Sequence, residues 1–149
     1  RRQFVLNLPK VSEYMDTVVQ TLSAEMQILD AVDFLLDNHV TGAPVVDADY
    51  RVIGILTEKD CLYLLAAGSD ADMPQGCVAD FMTTEVQTIP PNMNVYFCAG
   101  LFMNTVVRRF PVVEDGKLVG AITRFDILRD PEEPALTPKS RSRSQGRAA

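Results

Sequence analysis

Residues 44–60 read PVVDADYRVIGILTEKD, and residues 111–126 read PVVEDGKLVGAITRFD. Each copy is a proline-led apolar run, a polar turn, a second apolar run through a glycine, and then Thr-x-x-Asp opening a helix. Asp115-Gly116 is a hairpin turn signal. Val45-Val46 and Val52-Ile53 flank the first turn, and Val112-Val113 and Leu118-Val119 flank the second. Such short, almost continuously apolar runs are expected of strands covered by helices.

The duplication reaches upstream. Met15 and Met82 lie sixty-seven positions apart, and the same spacing matches Val11 with Val78, Val19-Gln20-Thr21 with Val86-Gln87-Thr88, and Met26 with Met93. One residue drops out at the turn, where Asp47-Ala48-Asp49-Tyr50 faces Glu114-Asp115-Gly116. Beyond it Gly54, Thr57, Asp60 and Leu62 match Gly120, Thr123, Asp126 and Leu128. A turn is where a repeat tolerates a change of length. The chain is an internal duplication, and that organises every other reading.

With 149 residues, 47% of them hydrophobic, the chain can bury a core. Each repeat alone is small enough to be marginal, so the two are expected to pack on each other. The net charge of −6 is spread along the chain and argues against a general nucleic-acid surface. Cys61, Cys77 and Cys98 form no C-x-x-C pair, and two lie in apolar helical runs, which predicts reduced, mostly buried thiols in a cytoplasmic protein. His39 is the one histidine, which leaves no His cluster for zinc or for a Ser-His pair. No apolar run approaches ~18 residues, so no membrane span is expected. The chain opens on Arg1 and shows no signal peptide, which fits a piece of a longer protein.

In chain order, residues 1–10 form a lead-in, 11–68 the first repeat, 69–77 a linker, 78–130 the second repeat and 131–149 a Pro/Arg/Ser tail expected to be extended or disordered. Within the first repeat, Val11 to Met15 reads as a helical turn and Val18 to Leu22 as a short strand. Ser23 to Asn38 reads as a helix capped by Ser23, with Ile28, Val32, Leu35 and Leu36 on its buried face. The second repeat follows with Val78 to Met82, Val86 to Ile89, and a helix buried through Val95, Ala99, Phe102 and Met103 after the break at Pro90-Pro91. Thr57 to Ala67 and Thr123 to Arg129 are the closing helices, the first stopped by Gly68 and the second before Pro131.

Each repeat thus reads strand–helix–strand–strand–helix, an α/β (α+β) pattern. On Pro-Val-Val with Gly-Ile-Leu-Thr-Glu-Lys-Asp, and Pro-Val-Val with Gly-Ala-Ile-Thr-Arg-Phe-Asp, the chain resembles a tandem pair of cystathionine β-synthase (CBS) domains, a Bateman module, from about Val11 to Arg129. The resemblance implies two repeats packed with pseudo-twofold symmetry and two clefts between them that take adenosine-containing ligands: AMP, ADP, ATP or S-adenosylmethionine. It implies that Asp60 and Asp126 accept from ribose hydroxyls, with Thr57 and Thr123 beside ribose or phosphate. A carboxylate is an acceptor able to take both hydroxyls of a cis-diol, and a helix start favours phosphate. A capping box has the same spacing and needs no ligand.

By the same resemblance Arg108-Arg109 would meet phosphate, for which forked guanidinium donors suit. The first repeat has Thr41-Gly42 there, so the clefts should be unequal, and which cleft the arginines serve stays open. An exposed cationic pair or an interface salt bridge is the alternative. Lys59 is the nearest cation in the first repeat, where a surface lysine is the plainer reading. The adenine slot implied is Thr21, Ala43 and Val45 from one repeat, and Thr88, Phe110 and Val112 from the other, though the apolar members are also ordinary core residues.

The expectation is a regulatory, ligand-sensing homodimer with no required cofactor and no metal, acting on a protein partner that the sequence does not identify. The alternative is a constitutive homodimerisation scaffold with unfilled clefts. An enzyme is disfavoured: the chain has no Ser-His-Asp set, no P-loop and no G-x-G-x-x-G. A nucleic-acid role through the Arg-Ser tail is a minor reading.

Overall fold

The computed structural model of the chain describes residues 8–67 and 75–129. The expected tail, most of the linker and most of the lead-in lie outside the described residues. Two hairpins form the centre: β1 (Gly42–Val46) with β2 (Val52–Thr57), and β3 (Arg109–Glu114) with β4 (Lys117–Thr123), both antiparallel. Their registers are twins. Pro44 faces Ile55 and Val45 faces Gly54, just as Pro111 faces Ala121 and Val112 faces Gly120. Each hairpin carries one irregularity, after Val45 and after Val112. The tight second turn places Asp115 and Gly116 at positive φ, 54° and 82°, as its sequence predicts. The longer first turn is organised by the Asp47 carboxylate, which accepts from the N–H groups of Asp49 and Arg51 at 2.9 Å. The hairpin ends meet where the Leu118 N–H donates to the Tyr50 carbonyl at 3.0 Å.

Helices flank the hairpins: α1 (Ile28–Asp37) and α2 (Glu58–Ala67) in the first repeat, α3 (Val78–Phe81), α4 (Val95–Met103) and α5 (Arg124–Leu128) in the second, with a 3₁₀ turn at Val11–Glu13. The strands expected at Val18 to Leu22 and Val86 to Ile89 shrink to single parallel bridges, Leu22 to Val45 and Ile89 to Val112. Helix α1 starts at Ile28 behind Gln27, not at Ser23. The intervening carbonyls are committed elsewhere: Ala24 accepts from Ala79 at 3.0 Å, and Met26 from Val78 at 2.8 Å.

Those two bonds belong to a reciprocal exchange. The opening turn of each repeat is lodged in the other. In the mirrored half, the Ser12 N–H donates to Pro91 at 2.9 Å and the Val11 N–H to Met93 at 2.8 Å. Thr83 exchanges both backbone bonds with Ile55 at 2.9 Å, and Asp16 does the same with Ala121 at 2.9 Å. The side chains follow. Val78 is buried in one core with Leu22, Ile28, Leu35, Val45 and Leu56, while Val11 and Tyr14 are buried in the other with Ile89, Val95, Phe102, Phe110 and Ile122. Each repeat therefore completes its core only with residues from its twin. Burying an aliphatic side chain contributes about 1.5–3 kcal/mol, so Val11 and Val78 bind the halves as well as filling them.

The expected buried face of each first helix holds at Ile28 and Leu35 and at Val95 and Phe102, and shifts at its edge. Ile28, Ala31 and Leu35 are buried in α1, and Val95, Cys98 and Phe102 in α4. The twin residues Leu36 and Met103 instead stand outside, 66% and 85% exposed. Cys61 and Cys98 are buried free thiols, as expected from their apolar runs.

Gly54 and Gly120 mark where the exchange is tightest. A Cβ at Gly120 would stand 2.9 Å from the Asp16 carbonyl oxygen and 2.7 Å from the Met15 sulfur. At Gly54 its three nearest neighbours would all be Met82 side-chain atoms, the sulfur at 2.5 Å. A methionine can turn aside, whereas a bridged backbone carbonyl cannot. Gly120→Ala is expected to cost about 1–3 kcal/mol by denaturant unfolding and Gly54→Ala less; the reverse order would contradict this account of the packing. A second outcome concerns the thiols. Burial pushes Cys98 up to about 11, and burial followed by the Asp60 charge pushes Cys61 up. The thiolate is the reactive form, so at pH 8 an aromatic disulfide reagent should modify Cys77 first and the other two only after unfolding. Equal rates for all three in the native protein would be inconsistent with the buried positions.

Candidate functional site

The exchange leaves a gap between the hairpins on the first repeat's helix-start side. It forms a cavity of about 390 Å³, within the range of small-molecule sites. Its apolar walls are the cross-strand pairs Pro44 with Ile55 and Pro111 with Ala121, joined by Val86, Val106 and Val107. Polar groups enter from Thr41, Thr57, Thr83 and Gln87, and charges from Glu58, Lys59, Glu85, Arg108 and Arg109.

Thr57 ends β2 and caps α2. Its hydroxyl accepts from the Asp60 N–H at 3.3 Å, while its own N–H and hydroxyl donate to Asp60 Oδ2 at 3.0 and 3.1 Å. The capping box thus forms and fixes the carboxylate. Thr83, arriving from the second repeat, donates its hydroxyl to Asp60 Oδ1 at 3.1 Å. A carboxylate offers about four lone-pair positions, so Asp60 keeps capacity for a further donor. The start of α2 borders the same cavity through Glu58 and Lys59, where the helix dipole favours negative charge, although the Glu58 N–H is already given to the Thr41 carbonyl at 2.8 Å.

The second repeat repeats the cap and changes its surroundings. The Asp126 N–H donates to the Thr123 hydroxyl at 3.1 Å, and the Thr123 N–H to Asp126 Oδ2 at 2.9 Å. The residue in Thr83's place is Asp16, and the residue in Gly42's place is Arg109. Burial raises the Asp126 pKa from its ordinary value; the bonds from Thr123 oppose this, the charge of Asp16 adds to it, and Arg129 opposes it. Burial likewise lowers the Arg109 guanidinium, against the opposing pull of Asp16 and Asp126. Arg124, the twin of Glu58, is turned away to the end of α4, donating to the carbonyls of Phe102 and Thr105 at 3.1 and 3.2 Å.

Of the residues singled out from sequence, Thr57, Arg108 and Arg109 border the cavity, and Asp60 is tied to it through Thr57 and Thr83. Thr123 and Asp126 do not line it. Neither do Thr21, Ala43, Val45, Thr88, Phe110 and Val112; of these, Ala43, Val45, Phe110 and Val112 are core residues no more than 1% exposed. The residues missed were their strand neighbours Pro44, Ile55, Pro111 and Ala121, together with Thr83 and Val107. Alternation along a strand was the available signal: if Ala43 and Val45 face the core, Pro44 faces away from it.

Comparison with known proteins places these features in a family. The family model for the CBS domain matches twice, over residues 11–67 and 78–133. The chain is 31% identical to the CBS domain-containing protein YhcV of Bacillus subtilis, covering 80% of this chain and 84% of that protein. It is 29% identical to an inosine-5'-monophosphate dehydrogenase of Nitrosopumilus maritimus over 93% of this chain, which spans only 28% of that enzyme. Among solved structures, CBSX2 of Arabidopsis thaliana in complex with AMP superimposes with a TM-score of 0.71 at 29% identity, covering 80% of this chain and 93% of that one.

Proposed function

The chain belongs to the CBS domain family, which it carries as a tandem pair, and from that premise we propose that it is a regulatory module sensing an adenosine nucleotide in the cleft beside Thr57 and Asp60. The observation that carries this reading is the composition of the cavity: two apolar cross-strand pairs in its lining, the lining Thr57 bonded to the Asp60 carboxylate, and Arg108, Arg109 and Lys59 at its border. The apolar pairs suit the two faces of a purine. Asp60 takes the ribose hydroxyls, sharing them with the Thr83 hydroxyl or displacing it. Arg108, with Lys59 and the start of α2, meets the phosphate. The complex of CBSX2 with AMP supports AMP as the first ligand to try.

The module acts by linkage, as a binding unit and not as an enzyme. A ligand touching both hairpins favours the arrangement of the repeats that it bridges best, by no more than its difference in affinity for the alternatives. The likeness to a dehydrogenase is confined to a small part of that enzyme and supports a regulatory segment.

A homodimer is the second element of the reading. Leu62, Tyr63, Tyr96 and Phe97 stand 62–67% exposed on α2 and α4. Large apolar side chains left outside the cores on two helices are candidates for an interaction surface. No helix among the described residues is long and apolar enough to cross a membrane; the occupant proposed for these helix faces is a second copy of the same chain.

AMP at about 100 times its dissociation constant adds about 2.7 kcal/mol, and the thermal midpoint should rise by several degrees. Arg108→Ala should weaken AMP about tenfold or more and leave adenosine unaffected, because a charge-assisted bond contributes about 1.5–3 kcal/mol. Asp60→Asn should weaken both. Absence of any midpoint shift with AMP, ADP, ATP or S-adenosylmethionine would instead favour a scaffold with unfilled clefts. For the dimer, light scattering should give twice the chain mass for the wild type and a single chain mass for Phe97→Glu; a monomeric wild type would contradict that element.

A further inference from the structure

The two halves supply a control for each other, because each position around Thr57 has a twin around Thr123. Around Thr57 the cross-strand partner is Gly42, the bridging segment brings Thr83, and the residue after the helix's first turn is the exposed Tyr63. Around Thr123 the same three places hold Arg109, Asp16 and Arg129. Arg109 sits directly opposite Thr123 in the ladder. Asp16 is held two residues along the same strand by its paired backbone bonds with Ala121, at 2.9 Å. Asp126 is clamped to Thr123 by the cap at 2.9 Å. Arg129 is anchored nearby, its guanidinium donating to the Tyr14 carbonyl at 2.9 Å.

We propose that Arg109, which also borders the first cavity, gathers with Asp16, Asp126 and Arg129 into a partly buried charge cluster that occupies the second cleft, so that the chain binds one nucleotide, beside Asp60. A glycine in the first half has become a long guanidinium in the second, and a hydroxyl has become a carboxylate. A ribose reaching Asp126 would have to displace the guanidinium balancing two acids. The electrostatic neighbours of Arg109, Asp16 and Asp126, agree with this placement. Two carboxylates brought together by a fixed backbone repel unless cations stand with them, which gives Arg109 a role independent of any ligand. The stoichiometry rests on the nucleotide reading above, and the cluster does not.

The test is a double-mutant cycle on the full chain with Arg109→Met, Asp16→Asn and both together, read by thermal midpoint. Met keeps much of the bulk of Arg109, and Asn keeps the acceptor that receives the Val18 N–H. Arg109→Met alone should lower the midpoint by about 4 °C or more, and adding Asp16→Asn should recover at least half of that loss. An Arg109→Met variant as stable as the wild type, or two strictly additive losses, would overturn the cluster. Calorimetric titration with AMP should give one site per chain, and two sites per wild-type chain would overturn the closure of the second cleft. If AMP does not bind at all, the nucleotide reading fails while the mutant cycle still decides the cluster.

Discussion

The reciprocal exchange of opening segments is the constraint on which the rest depends. Val11 completes the core of the second repeat and Val78 that of the first. The backbone bonds that seat them come in matched sets: Val11 to Met93 against Val78 to Met26, and Asp16 with Ala121 against Thr83 with Ile55. Neither half can complete its core by itself. The gap between the hairpins is bordered by Thr83 to Gln87 of the second repeat, and the backbone bonds of Thr83 with Ile55 tie that segment to the first half. A site made this way is preformed, and it is built from both repeats at once. A ligand there contacts the two units whose relative placement it would report.

Duplication gives symmetry to the frame, and divergence gives chemistry to the clefts. The frame residues stay paired: Gly54 with Gly120 against Met82 and Met15, and Thr57 with Thr123 at the helix starts. The substitutions that matter lie just inside the clefts, where Gly42, Thr83 and Glu58 in one half are Arg109, Asp16 and Arg124 in the other. Arg124 illustrates the consequence. Its twin Glu58 borders the cavity, yet Arg124 closes the end of α4 and lies 5.8 Å over the Phe102 ring. Arg124 is thus engaged in structure, whereas Lys59, Arg108 and Arg109 border the cavity beside Thr57.

The duplicated motif made the hairpins, the closing helices and both capping boxes legible from sequence, because each depends on residues adjacent along the chain. Thr57 with Asp60 and Asp115-Gly116 are local signals of this kind. What was not legible depended on the partner repeat. Ser23 looks like an N-cap, but Ala24 and Met26 give their carbonyls to Ala79 and Val78, and no local pattern reports that commitment. Leu36 and Met103 fit an apolar stripe yet stand outside, since the buried stripe is set by what the other elements cover. Within the site, the proline-led strands were identified, but which of their residues line the cavity depends on how the other elements pack. Ala43 and Val45 fill the core, and the cavity falls to Pro44 and Ile55.

A crystal structure of the chain grown with AMP tests the account most directly. The account predicts one nucleotide per chain, its base between the Pro44–Ile55 and Pro111–Ala121 pairs, its ribose hydroxyls on Asp60 and its phosphate toward Arg108. AMP seated with its ribose on Asp126, or crystals in which saturating AMP enters neither cleft, would contradict it.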